Sequence, residues 1–116
     1  MIELSKTQKK IARQLIDIGL QRECKLFTAK IEKFTNSQEW KTGDPHQLYL
    51  KLYGKVTSFD KHIAKRYNDL TGSRYFMTVF GLFYDDVLSN DDIARFDTEV
   101  LNKLLGMKHL YNNDNS

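Results

Sequence analysis

A chain of 116 residues, 41% hydrophobic and 28% charged, has room for one domain-sized core and the composition of neither a disordered nor a membrane protein. Its longest uncharged run, Tyr75 to Tyr84, is half of the roughly 20 residues a bilayer span needs, its opening MIELSKTQKK does not read as a secretory signal, and its single cysteine, Cys24, excludes an internal disulfide, so a cytoplasmic protein is expected. The net charge of +3 hides a split, with 14 Lys and Arg against 7 Asp and Glu in residues 1–66 and 4 against 8 in residues 67–116; it suits a polyanionic partner, or two halves that neutralise each other, which is the expectation.

Ser5, with Gln8 three residues on, has capping-box spacing and opens the first predicted helix. Ile11, Leu15 and Ile18 line one helical face, and Leu20, Cys24, Phe27, Ile31 and Phe34 repeat the period after a two-residue jump across Gly19. At about 100° per residue the jump turns the apolar face by well over a quarter of a circle, so a sharp bend at Gly19, or two helices over 5–18 and 20–35, is predicted. Residues 35–44 have no period and predict the longest internal loop, in which Trp40 is either a lid on the core edge or an anchor for a partner. Asp44 followed by Pro45 starts a helix over 45–70, with Leu48, Leu52, Val56, Phe59, Ile63, Tyr67 and Leu70 on one face and Gly72 as its stop. The aromatic run predicts a third helix over about 74–88, since no other segment reads as a strand to pair with it. Ser89 or Asn90 caps a fourth over 91–105, with Ile93, Phe96, Val100 and Leu104 inward, Gly106 at its end and a frayed tail over 112–116. The expected fold is all-α: one compact domain of four to five helices around the aromatic third helix.

The residues offer no catalytic constellation, metal pattern or cofactor motif. His46, His62 and His109 share no helix face with one another or with Cys24, His62 reads as a solvated residue, and Cys24 reads as core. Asp85, Asp86, Asp91 and Asp92 lack EF-hand spacing; the last two suit a helix start, and the first two predict pairing with Lys or Arg from the basic half. Lys6, Lys9, Lys10 and Arg13, with Lys51 and Lys55 on the next helix, form basic faces that are solvated or, in the alternative, touch phosphates of a nucleic acid. Arg74, Thr78, Gly81 and Asp85 stand four, three and four apart, a narrow polar or small seam on the aromatic helix that lets another backbone come close. These features predict a small non-enzymatic helical module that binds a protein partner or itself, with a nucleic-acid accessory role as the alternative and no membrane partner.

Overall fold

The structure, a computed structural model, describes residues 2–114. Every regular element among them is helical: α1 (Lys6–Thr35), α2 (Gln38–Thr42), α3 (Pro45–Tyr67), a 3-10 turn (Gly72–Arg74), α4 (Tyr75–Tyr84), α5 (Asn90–Ile93) and α6 (Thr98–Asp114). The all-α expectation holds. The chain divides into two compact units, residues 1–20 with 69–116, and residues 21–68.

In the first unit the start of α1 buries Gln8, Ala12, Leu15, Ile16 and Gly19, while Ile11 and Ile18 are only half-buried. Two separate helices over 5–18 and 20–35 are not formed, for α1 runs as one helix from Lys6 to Thr35. The reason lies in which residues carry the buried line: it passes through Gln8, Ala12, Gly19 and Glu23, small or polar positions that a count of large apolar residues skips. Gly19 is required by packing, for a Cβ there would stand 2.7 Å from Leu82 Cδ1 of α4. The Gln8 amide is not wasted inside, since its Oε1 accepts the Asp97 backbone N–H at 3.0 Å.

Around this face pack Phe76, Val79, Phe80, Leu82 and Phe83 of α4, then Leu88, Ile93 and Phe96, and Val100 and Leu104 of α6, all buried. Each such side chain contributes about 1.5–3 kcal/mol of transfer free energy. The aromatic helix is shorter than predicted and ends at Tyr84, because Asp86 adopts φ 61° and turns the chain. Lys108 of α6 fastens that end: its Nζ donates to Phe83 O at 3.0 Å and to Asp86 Oδ1 at 2.8 Å, and lies 4.2 Å from the Phe83 ring centre. The predicted fourth helix is two. Ser89 and Asp92 form a capping box on the four-residue α5, and α6 begins at Thr98, passes Gly106 and continues to Asp114. Of the predicted frayed tail, residues 112–114 are therefore helical, and 115 and 116 lie outside the described residues.

The second unit is a helical hairpin. Its pairings run in opposite directions along the two helices, Glu23 with Arg66, Phe27 with Phe59, and Phe34 with Lys55, and they converge on α2 at the corner. Phe27 and Phe59 stack with ring centres 4.2 Å apart. The predicted loop over 35–44 holds α2, capped by Ser37 Oγ accepting from Trp40 N, and Asp44 caps α3 by accepting from Gln47 N. The α3 helix stops at Tyr67 rather than at residue 70, where Asn68 turns extended and Asp69 takes φ 57°. Leu48 is the one large apolar side chain buried among the described residues of this unit.

Candidate interaction surface

The hairpin carries far more apolar residue than it covers. Along α3, Tyr49, Tyr53 and Val56 follow at spacings of four and three, and Leu50 stands beside them, so at about 100° per residue all four lie within a third of the helix circumference. They are 58%, 59%, 45% and 44% exposed, in that order for Tyr49, Tyr53, Val56 and Leu50. The two tyrosine rings stack on each other, centres 6.4 Å apart. Gly54 borders this face, with nothing within 4 Å of the position its Cβ would take. Lys51 and Lys55 come two residues after Tyr49 and Tyr53, which is about 200° round the helix, so these cations lie away from the apolar face.

Sequence reading placed Val56 in the core line and passed over the tyrosines. The signal was present: Tyr49 and Tyr53 each follow a core leucine by one residue, which widens the apolar arc beyond what one packed neighbour covers. A sparse core is what leaves the wide arc open.

The residues proposed from the sequence fall in both units. Arg74 and Asp85, at the two ends of α4, are exposed; Thr78 and Gly81 between them are half-buried. Arg74 Nη1 donates to Asp69 O at 3.3 Å, and the Asp85 N–H caps the helix on Gly81 O. Trp40 is half-buried on α2 and packs edge-on against Phe34 within the hairpin, with ring centres 5.3 Å apart. Of the basic face, Lys6, Lys10 and Arg13 are exposed, whereas three other members have internal work. Lys9 lies against Gly72, its Nζ 3.1 Å from the position of a Cβ there; Lys51 pairs with Glu39; and Lys55 Nζ stands 4.9 Å over the Phe34 ring.

Two charge assignments change. His62 is not simply solvated, because its Nε2 lies 3.0 Å from Glu23 Oε2. Glu23 is 8% exposed and also accepts from Arg66 Nη1, so one buried carboxylate joins two side chains of α3. Beside it the Tyr67 hydroxyl is sealed from solvent against the Glu23 carboxylate, with no well-aligned hydrogen bond among the described residues. Burial first, and then the Glu23 charge, push this phenol well above its ordinary range. Glu23 stands three after Leu20 and four before Phe27, and Arg66 three after Ile63, so helical spacing alone puts both on the inner faces. The cluster neutralises charge and clasps α1 to α3. The second change concerns Asp86, whose partner Lys108 comes from the acidic half of the sequence and not from the basic one.

A cavity of about 300 Å³ opens in the first unit beside Leu4, Lys9, Ser73 and Phe76. Among the described residues no three His, Cys, Asp or Glu side chains gather as metal ligands, and no helix is long and apolar enough to cross a membrane. The chain matches no family model, no curated protein and no solved structure.

Proposed function

We propose that this protein is a small non-enzymatic helical interaction module, and that it binds a protein through the α3 face. The observation that carries this reading is the uneven covering of its apolar residues. Large side chains in the first unit are mostly packed away, whereas the hairpin leaves Tyr49, Leu50, Tyr53 and Val56 turned outward together. Tyrosine on such a face favours protein contact, since it gives a large ring at low entropic cost and a hydroxyl for the polar rim. A cytoplasmic setting fits a chain stabilised by packing with one free thiol.

The test is affinity capture from a lysate of the native source with the full chain as bait, beside a Tyr49→Asp, Tyr53→Asp double variant. The expected result is a defined set of proteins retained by the native bait and lost by the variant, with unchanged helical content by circular dichroism. An identical set on both baits overturns the α3 assignment. The nucleic-acid alternative is favoured by the hairpin's charge, ten Lys and Arg against five Asp and Glu in residues 21–68. Against it, Lys51, Lys55 and Arg66 are engaged within the hairpin. Retention of DNA or RNA on a filter at about 50 mM salt, falling steeply as salt rises, would reinstate it.

A further inference from the structure

We infer that the cavity of the first unit is a binding site for a small monocarboxylate with an apolar body of about eight atoms, a medium-chain fatty acid or an aryl acetate. The inference is independent of the α3 face and adds a small-molecule site to the module.

The cavity lies where residues 2–4 and the start of α1 meet the 3-10 turn and the first turn of α4. Its apolar wall is Ile2, Leu4 and Phe76, and since Leu4 and Phe76 belong to the buried core, packing holds that wall in place. At about 300 Å³, with roughly 30 Å³ for each water-sized group, the space suits a ligand of about ten non-hydrogen atoms.

Lys9 brings a positive charge to the lining. Lys6, Lys10 and Arg13 of the same helix are exposed, whereas Lys9 is half-buried, three residues before Ala12 and seven before Ile16 of the buried face. Its stem lies along the 3-10 turn. A Cβ at Gly72 would stand 3.1 Å from Nζ and 3.2 Å from Cε, so the glycine makes room for a lysine that stays at the cavity instead of reaching outward to water. Among the described residues that ammonium has neither an ion pair nor a hydrogen bond. It also stands in the opening turn of α1, which holds no acidic residue and whose dipole opposes a cation. An anion beside Nζ answers both.

Ser73, also on the lining, supplies a second donor. Its Oγ lies 3.0 Å from Thr71 Oγ1, and when Thr71 donates that bond the Ser73 proton is left for a carboxylate oxygen. Charge then sets the ligand class. The lining holds one cation, Lys9, and one carboxylate, the exposed Glu3. A single negative charge on the ligand is matched by Lys9, whereas the second charge of a phosphate monoester or a dicarboxylate would face Glu3 with no cation of its own.

The experiment titrates the full chain, labelled with nitrogen-15, with octanoate and with phenylacetate, beside octan-1-ol, and follows the backbone amide shifts. Saturable binding of both acids is expected, with a dissociation constant at or below about 1 mM and with the shifts grouped in residues 2–9 and 71–77 around the cavity. Octan-1-ol keeps the apolar body and lacks the charge, so it is expected to bind about ten- to a hundredfold more weakly than octanoate. Lys9→Met is expected to weaken both acids by a similar factor, to leave octan-1-ol unchanged and to keep the native helical content by circular dichroism. The comparison of acid with alcohol reads the charge on the native chain, so the test does not hang on the variant. Octan-1-ol binding as tightly as octanoate, acids indifferent to Lys9→Met in a folded chain, or shifts centred on residues 49–56 of α3 would each overturn the inference. So would the absence of saturable binding of either acid up to about 10 mM.

Discussion

Gly19 and Gly54 are both glycines inside helices, yet they answer to different physics. At Gly19 a methyl would press on Leu82, which is fully buried, so Gly19→Ala is expected to cost about 1–2 kcal/mol even after the roughly 1 kcal/mol gained in helix propensity. At Gly54 nothing stands within 4 Å, so Gly54→Ala is expected to gain about 0.5–1 kcal/mol. Urea midpoints that move in opposite directions are the check, and a Gly19→Ala chain as stable as the native one would remove the packing account. Tyr67 supplies a second residue-scale prediction. Its hydroxyl is buried against the Glu23 carboxylate without a well-aligned hydrogen bond among the described residues, so Tyr67→Phe is expected to change stability by no more than about 1 kcal/mol. Because burial and Glu23 raise the phenol's pKa in the folded chain, the unfolded chain loses that proton first as pH climbs. Tyr67 therefore leaves stability untouched below about pH 10, the ordinary tyrosine value, and lowers it above. Denaturation midpoints measured across that range should fall less steeply for Tyr67→Phe than for the native chain.

Among the elements, the hairpin depends on its clasp. Glu23→Ala leaves Arg66, whose side chain is 16% exposed, without its buried carboxylate, at a cost of about 3 kcal/mol, whereas replacing the pair together by Leu and Met should restore most of it. Hydrogen exchange of amides in residues 21–68 reads this directly, and unchanged protection in Glu23→Ala would show that the clasp is ornamental. The same helices show what was legible beforehand. The all-α class, the Ser37 to Asp44 corner as a break, the Asp44 cap and the α4 core line follow from period and cap chemistry, which act locally. What escaped was set by distant partners. Gly19 is fitted to Leu82 of another helix, and His62 owes its role to a glutamate 39 residues away. Helix ends were misplaced for the same reason, since turns at Asp69 and Asp86 require positive φ in residues that do not announce it as glycine does. Of the candidate surface, the spacing put Val56 in the core line and left the neighbouring tyrosines unread, although Val56 is 45% exposed. That the hairpin would leave the arc uncovered depended on how few side chains it buries.

For the molecule as a whole, the division of buried side chains predicts two stabilities. Leu48 alone among the large apolar residues of residues 21–68 is buried, so this unit is expected to open at lower free energy than the α4 core, and its amides to exchange first. Equal protection across both units would mean one cooperative fold. The distribution of chromophores makes this measurable without any label. The chain has one tryptophan, Trp40, and it packs on Phe34 inside the hairpin. Tryptophan emission is therefore a local signal, whereas far-ultraviolet dichroism sums every helix. Recorded on one sample through a denaturant series, the gap between the two curves measures how independently the hairpin melts, and the native sequence carries its own two-channel thermometer.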